Sequence, residues 1–165
     1  MQNTQAGTVT TLAQEAMDAF NAGDLTRFRT FLTPTVIYEE SGTGRQAHGA
    51  DAYIAGLEAW RRAFSELTGT ITQIIVSGEQ FAERITWTGT HTGPLETPSV
   101  TFPPTGRAFQ GEASMWGTVK DGKMAAVFHQ LDMLGLLTQL GLLGAPQARE
   151  LERSQPGTVD TSRPA

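Results

Sequence analysis

The spacing of apolar side chains predicts two helices at the start of the chain. Residues 11–24 repeat apolar positions at the interval of one helix face, and Gly23 is suited to the C-terminal cap. The apolar positions of this first helix are Leu12, Ala16, Ala19 and Phe20. Residues 25–34 predict a second, shorter helix that ends before Pro34, because the residue before a proline disfavours helical geometry. Residues 1–7 are expected to be frayed.

A longer amphipathic helix is predicted over residues 50–67. Its apolar face is formed by Ile54, Leu57, Trp60, Ala63 and Phe64. Charged side chains, among them Glu58 and Arg61, mark the opposite face. One side of this helix is therefore expected to cover a core.

The rest of the chain is rich in strand patterns. A first strand is predicted at 35–41 and a loop at 41–49. Long β-rich segments follow at 68–80, 81–93, 107–122 and 123–133, the last after a turn at Asp121–Gly122. Residues 134–143 predict a short closing helix. Helices first and antiparallel strands later indicate an α+β fold, in which a curved sheet wrapped by helices can enclose an apolar pocket.

Domain organisation follows from length and composition. The chain has 165 residues, which favours one domain, here predicted over residues 1–144. The segment 145–165 is polar and contains several prolines, so it is predicted to be a flexible tail.

Charge and cysteine content exclude several classes of function. The formal net charge is -5, which disfavours nucleic acid and anionic membranes as partners. There is no cysteine, so disulfides and thiolate chemistry are excluded. The N-terminus lacks the pattern of a signal peptide and no stretch is long and apolar enough to span a membrane, so a cytoplasmic protein is expected.

Asp132 is the candidate for catalysis, because it is an ionisable acid within the otherwise apolar stretch 127–141. Burial in such surroundings raises the pKa of a carboxyl group and makes its carboxylate a better base at neutral pH. The alternative is a helix N-cap for the segment that begins near Met133, because aspartate is favoured at that position. Spacing alone leaves both roles open.

The strand period identifies the side chains that would accompany Asp132 in a pocket. Phe128 and Gln130 share its parity and could supply an apolar wall and an amide for a carbonyl or enolate oxygen. His129 is also a substrate-binding candidate, although on a regular strand it points to the opposite face. Large aromatic side chains on the neighbouring elements could stack on a flat substrate, namely Tyr38, Trp60, Trp87 and Trp116.

The remaining ionisable side chains on strands are mostly expected on the outer face of the sheet. They are Glu39, Glu40, Glu83, Arg84 and Glu112, with Arg84 pairing to Glu112 or Glu83 across strands. A second acid in the pocket, Glu39 or Glu112, would instead indicate hydrolase chemistry. The three histidines, His48, His91 and His129, form no metal-binding pattern, so no metal site is predicted.

Several short motifs in a fixed order resemble the SnoaL-like polyketide cyclase family, also called ester cyclases, of the nuclear-transport-factor-2-like superfamily. The resemblance covers roughly residues 10–143. The motifs are "FNAGD" (20–24), "HG" (48–49), "TGTHTG" (88–93), "PPTG" (103–106), "KDGKM" (120–124), and Asp132 followed by "QLG" (139–141). Each motif is weak by itself, and the order and spacing of the set carry the resemblance.

The resemblance implies a cone-shaped α+β barrel and a cofactor-free enzyme that closes a ring in a polyketide-like ester by intramolecular aldol condensation. By motif position, Asp132 would be the general acid/base, and His91 would lie at or near the pocket. The resemblance also implies a homodimer through the outer sheet face. This chain has Ala126 and Phe128 where members often carry Glu and Trp, and a longer segment 94–102, so pocket shape and substrate are expected to differ.

Two other functions are compatible with the same fold. An epoxide hydrolase, an epoxide-opening cyclase or an isomerase would be favoured by two carboxylates in one pocket. A non-catalytic ligand-binding domain would be favoured by a filled pocket or by Asp132 turned to solvent as a helix cap. For His91 the structural alternative is a hydrogen bond within the glycine-rich turn.

Overall fold

The computed structural model describes residues 2–143, with side chains described from residue 6 onward. The helices are α1 (Gln2–Asn21), α2 (Leu25–Thr30), α3 (Ala50–Ala63) and α4 (Met133–Gln139). The strands are β1 (Leu32–Glu40), β2 (Arg45–His48), β3 (Phe64–Ser77), β4 (Gln80–His91), β5 (Leu95–Glu96), β6 (Thr101–Phe102), β7 (Ala108–Lys120) and β8 (Lys123–Leu131).

Six strands form one open, mixed sheet in the order β2-β1-β8-β7-β4-β3. The pairing of β1 with β8 is parallel and the other pairings are antiparallel. Strands β5 and β6 form a separate small hairpin. The sheet is curved and the N-terminal helices cover its concave face, so the predicted α+β class is confirmed.

Alternation along the long strands separates a covered face from an open face. In β4, Phe81, Glu83 and Ile85 are buried, whereas Ala82 and Arg84 between them are exposed. The register continues this pattern across the sheet, because Glu83 is paired with Met115 of β7. The odd-numbered residues of β4 therefore face the helices and the core.

A hydrogen-bonded contact fixes the end of α1 on the sheet. The Asn21 side-chain amide donates to the Gly69 carbonyl at 2.9 Å and accepts from the Gly69 N–H at 2.8 Å. Arg61 of α3 donates to the Phe20 carbonyl at 2.7 Å, and the same carbonyl accepts a hydrogen bond from the Gly23 N–H at 2.9 Å at the end of the helix. Gly69 also leaves room for Trp87, since a Cβ there would lie 2.7 Å from its ring.

Several element boundaries differ from the predicted ones. Helix α1 already begins at Gln2, so the predicted frayed segment is helical from residue 2 onward. The predicted loop 41–49 contains the edge strand β2, which pairs with β1. Strand β1 contains Pro34, which lies where the register with β8 is irregular, a position that tolerates a residue without an N–H.

The predicted tail, 145–165, lies outside the described residues, and the domain boundary at residue 144 stays a prediction. Within residues 2–143, no helix is long and apolar enough to cross a membrane.

Candidate functional site

An apolar cavity lies between the concave face of the sheet and helices α1 and α3. Its helical side includes Met17 and Phe20 from α1, and Tyr53 and Trp60 from α3. The cavity has a volume of about 70 Å³, which is several times the volume that one water molecule needs. A cavity of this lining suits a small, largely apolar organic molecule.

Glu83 brings a carboxyl group with no hydrogen-bond partner to this cavity. The residue is 5 % exposed, and neither of its side-chain oxygens has a partner within the described residues. Burial raises the pKa of Glu83 from 4.5 to about 7, because the charged form loses its hydration. A carboxyl group that titrates near neutral pH can both accept and donate a proton under ordinary conditions.

Glu40 is a second buried acid at the cavity wall, and its surroundings are the opposite of those of Glu83. Its Oε2 accepts hydrogen bonds from Tyr38 Oη at 2.6 Å and from Trp60 Nε1 at 2.9 Å. Its Oε1 accepts a hydrogen bond from Thr43 and lies 3.9 Å from Arg45 Nε. Glu40 is therefore well supplied with donors.

The donors around Glu40 decide its charge. Burial disfavours the charged form, but interaction with His129 and hydrogen bonds from Thr43 and Tyr38 outweigh burial and lower the pKa of Glu40 to about 2. Glu40 is thus a fixed carboxylate near neutral pH. The two acids of one cavity have pKa values displaced in opposite directions, as in sites that separate acid and base roles.

His129 links Glu40 to the cavity. Its Nδ1 lies 3.1 Å from Tyr38 Oη and 3.7 Å from Glu40 Oε2. Its Nε2 is buried with no hydrogen-bond partner in residues 2–143, and its ring centroid is 6.1 Å from that of Trp87. Trp87 also lines the cavity, and its Nε1 is buried. The sheet side of the cavity therefore has three polar groups with no hydrogen-bond partner in the described part of the chain, namely the Glu83 carboxyl group, His129 Nε2 and Trp87 Nε1.

The strand register explains why these groups meet. Glu83 on β4 is paired with Met115 on β7, which is paired with His129 on β8, which is paired with Glu40 on β1. We call these four residues the transverse row. With neighbouring strands about 4.8 Å apart, the backbones of Glu83 and His129 are about 10 Å apart. Met115 lies between them in the row, and all three side chains line the cavity.

Comparison with known families agrees with this architecture. The family model described as SnoaL-like polyketide cyclase matches residues 11–140. This chain belongs to the SnoaL-like polyketide cyclase family. The resemblance seen in the sequence motifs is thereby confirmed.

Several solved structures are similar to this SnoaL-like protein. AclR from Streptomyces galilaeus, named as a candidate hydroxylase, is 27% identical with a TM-score of 0.70, over 91% of this chain and 90% of AclR. IdmH from Streptomyces antibioticus, named as a candidate polyketide cyclase, is 26% identical with a TM-score of 0.68, over 80% of this chain and 97% of IdmH. TsrD from Streptomyces laurentii is 26% identical with a TM-score of 0.71, over 83% of this chain and 97% of TsrD. No curated protein matches this sequence.

Asp132 does not lie in the cavity of this SnoaL-like protein, contrary to the prediction. It is exposed and is the N-cap of α4, where its Oδ1 accepts a hydrogen bond from the Gly135 N–H at 2.9 Å. The cap is the alternative that spacing had left open, and it satisfies a helix N–H that would otherwise lack a partner. A catalytic role for Asp132 receives no support from this position.

Three other candidates lie on the open face, since Phe128 and Gln130 share the parity of Asp132 and Trp116 is paired with Phe128. Phe128, Gln130 and Trp116 line or border an open groove on the convex side, and the rings of Phe128 and Trp116 stack at 5.7 Å. The predicted placement of these residues in the pocket is therefore wrong. The strand does bring pocket residues from positions of the other parity, including His129.

His91 lies at the end of β4, on the same face as Ile85 and Trp87, as expected. It is fully buried, its ring stacks on Phe64 at 5.1 Å, and its Nδ1 lies 3.1 Å from Thr105 Oγ1. Burial lowers the pKa of His91, partly opposed by a hydrogen bond with the Gly93 backbone. His91 is not among the residues that line the cavity, and this environment is that of the structural alternative.

The remaining aromatic candidates line the cavity. Tyr38, Trp60, Trp87 and His129 all do so. Sequence reasoning missed Tyr53, which stacks on Tyr38 at 4.3 Å, and it placed Glu40 and Glu83 outside. The period of β4 could have found Glu83, because it shares the face of Ile85 and Trp87.

The outer charges and the question of metal binding complete the site. Arg84 Nε pairs with Glu112 Oε2 at 2.7 Å on the open face, as predicted, and Glu39 is exposed. Neither Glu39 nor Glu112 lines the cavity. Among the side chains that the structure describes, no group of three or more His, Cys, Asp or Glu residues could hold a metal ion.

Proposed function

We propose that this protein is a cofactor-independent cyclase of a small, hydrophobic, polycarbonyl or polyketide-like substrate, with Glu83 as its general acid/base. One observation carries the proposal: the Glu83 carboxyl group, which has no partner among the described residues, lies in a largely apolar cavity where burial raises its pKa to about 7. Glu83 thereby takes the role that the sequence had suggested for Asp132.

The proposed reaction is an intramolecular aldol closure. A base removes a proton from a carbon between two carbonyl groups, and the C–H electron pair becomes that of an enolate. The enolate carbon bonds to a second carbonyl carbon of the same molecule, and the resulting alkoxide takes a proton from the acid. Because the pKa of Glu83 is about 7, the group is present in both forms at neutral pH and can serve either step.

The cavity supports the substrate class by its shape and lining. Aromatic side chains on both sides, including Phe20, Trp60 and Trp87, suit a flat, conjugated molecule. Enclosure holds the two reacting ends of the chain near each other, which lowers the entropic cost of ring closure.

Proton transfer is tested with β-tetralone, a flat bicyclic ketone that fits this class. Nuclear magnetic resonance follows the exchange of its acidic α-protons in deuterium oxide at pH 7. We expect the wild-type protein to accelerate exchange and Glu83→Gln to lower the rate about 100-fold. Asp132→Asn, which preserves a helix cap, is expected to keep the wild-type rate.

The outcomes separate the candidate acids. If Asp132→Asn lowered the exchange rate and Glu83→Gln did not, the general acid/base would be Asp132 and not Glu83. Glu112→Gln, an acid on the same sheet but outside the cavity, is the matched control. A wild-type protein that binds β-tetralone without accelerating exchange would favour a non-catalytic binding domain.

Ring closure itself is tested with a synthetic aryl polyketo ester. An aldol cyclisation gives a product of the same mass as the substrate but of different chromatographic retention. We expect this isomer to form in the presence of the wild-type protein and to be lost with Glu83→Gln.

Epoxide opening is the second candidate, because two carboxyl groups, Glu40 and Glu83, line one cavity. One acid would protonate the epoxide oxygen while a base activates water. The donors that surround Glu40 leave it little freedom to take part directly. Conversion of styrene oxide to its diol by the wild-type protein would favour this function over the cyclase.

We also propose a homodimer formed through the convex sheet face, a cytoplasmic location and no nucleic-acid partner. Large apolar side chains are exposed on that face, namely Ile75 at 61% and Trp116 at 45%. The net charge of -5 disfavours nucleic acid. Light scattering of the wild-type protein and of Trp116→Arg tests the dimer, because a charge there should shift the mass to that of one chain.

A further inference from the structure

The hydroxyl group of Tyr38 has one proton, and it donates this proton in a hydrogen bond to Glu40. Tyr38 Oη donates to Glu40 Oε2 at 2.6 Å. The same oxygen lies 3.1 Å from His129 Nδ1, within hydrogen-bond distance. Since the hydroxyl proton is already used, Tyr38 can only accept a hydrogen bond from His129.

This requirement fixes the position of the proton on the imidazole ring. His129 Nδ1 must carry a hydrogen to donate to Tyr38. A neutral imidazole has one N–H, so Nε2 then holds a lone pair. His129 lines the cavity, and its buried Nε2 has no hydrogen-bond partner among the residues that the structure describes.

The environment of Glu40 keeps this arrangement in place. The carboxylate accepts from Trp60 Nε1 at 2.9 Å and from Thr43, and Arg45 Nε lies 3.9 Å away. These donors hold the carboxylate so that one oxygen faces Tyr38. Burial, and secondarily the charge of Glu40, raises the pKa of Tyr38, so the tyrosine keeps its proton.

We infer that His129 is a second proton-transfer residue of this cavity, with Tyr38 and Glu40 as positioning residues that direct its Nε2 lone pair toward the ligand. The chain carboxylate–tyrosine–imidazole does what a carboxylate does directly in a serine hydrolase triad, where it sets the tautomer of the histidine.

The inference rests on the proposed function and refines it by assigning the two proton transfers to two different residues. His129 Nε2 would accept the proton from the carbon acid while Glu83, in its protonated form, delivers its proton to the oxygen of the carbonyl under attack. One C–H bond and the π bond of the attacked carbonyl group break, one C–C bond and one O–H bond form, and the proton on His129 returns to Glu83 afterwards. The substrate is isomerised with no other reactant.

The tautomer of His129 is measured directly in the full-length, nitrogen-labelled protein at pH 8. Two-bond proton–nitrogen correlation spectra distinguish an imidazole nitrogen that carries hydrogen from one that carries a lone pair. We expect His129 to have hydrogen on Nδ1 and a lone pair on Nε2. Hydrogen on Nε2 in the wild-type protein would overturn the inference.

Tyr38→Phe tests the positioning role. It removes the oxygen that accepts from His129, and Glu40 Oε2 at 3.7 Å is beyond hydrogen-bond distance. The fraction of His129 with hydrogen on Nδ1 should therefore fall. Tyr53→Phe is the matched control for this spectrum, because it removes a hydroxyl group from the same cavity but not from the chain. An unchanged tautomer in Tyr38→Phe would refute the role of Tyr38.

The catalytic part is tested with β-tetralone exchange in His129→Asn. Asparagine keeps an N–H near the position of Nδ1 and removes Nε2, so the rate should fall about 100-fold. A wild-type exchange rate in His129→Asn, together with a lowered rate in Glu83→Gln, would overturn the inference and keep the proposed role of Glu83. A wild-type rate in Glu83→Gln, together with a lowered rate in His129→Asn, would overturn the role of Glu83 and keep that of His129.

Discussion

Replacement of Glu83 by glutamine should change how the stability of the protein depends on pH. In the folded protein the pKa of Glu83 is about 7, against 4.5 for the free side chain. The folded state therefore holds a proton that the unfolded state has already released between pH 4.5 and 7. Stability must fall as pH rises through this range, because deprotonation favours the unfolded chain.

The size of the effect follows from the difference between the two pKa values. One pKa unit is worth about 1.4 kcal/mol, so the buried carboxylate destabilises the folded state by about 3 kcal/mol above pH 7. Below pH 4.5 the group is neutral in both states and the penalty vanishes. Glutamine is neutral at every pH. The stability of Glu83→Gln relative to the wild type should therefore be about 3 kcal/mol greater at pH 9 than at pH 4.

Urea denaturation followed by tryptophan fluorescence, at intervals from pH 4 to 9, measures this difference. Subtracting the variant from the wild type removes the titration of groups that the two proteins share. Glu112→Gln is the control, because Glu112 is exposed and hydrogen bonds from Thr86 and Arg84 lower its pKa. The stability of the wild type relative to Glu112→Gln should therefore rise with pH, opposite to the comparison with Glu83→Gln. A difference between wild type and Glu83→Gln that does not vary between pH 4 and 9 would refute the reasoning.

Three other changes have expected outcomes that the same denaturation assay checks. Glu40→Gln should show the reverse pH dependence: the pKa of Glu40 is about 2, so the wild type should lose about 3 kcal/mol relative to the variant as pH falls from 4.5 to 2. Gly69→Ala should cost about 1–3 kcal/mol at pH 6, because the added Cβ would lie 2.7 Å from the ring of Trp87. Asp132→Ala should cost about 1 kcal/mol through the lost helix cap, with β-tetralone exchange unchanged.

The sequence predicted the fold better than the site because the two depend on different information. Apolar periodicity located α1, α3 and the long strands, and the turn at Asp121–Gly122 forms where expected, with positive φ at both residues. Boundaries were less certain because tertiary pairing decides them, as at Phe64, where the apolar pattern of a helix continues into β3.

The site prediction fails at the last strand, β8. An acid in an apolar stretch predicts that Asp132 faces the pocket, and strand parity then assigns Phe128 and Gln130 to the pocket as well. Because side chains alternate between the two faces of a sheet, assigning one residue to the wrong face assigns every residue of that strand to the wrong face. The acid at the end of β8 had a local use as a helix cap, whereas the buried acid, Glu83, lies between exposed neighbours and resembles any charged strand residue.

The transverse row has a consequence for how this cavity can evolve. Glu83, Met115, His129 and Glu40 come from four adjacent strands, so hydrogen bonds of the sheet, and no loop, hold their spacing. The hydrogen bonds of the sheet fix the distance between the backbones of Glu83 and His129, the proposed proton-transfer residues, so surface mutations should change it little. New specificities should therefore arise from the helices that face the row, while the row itself stays constant.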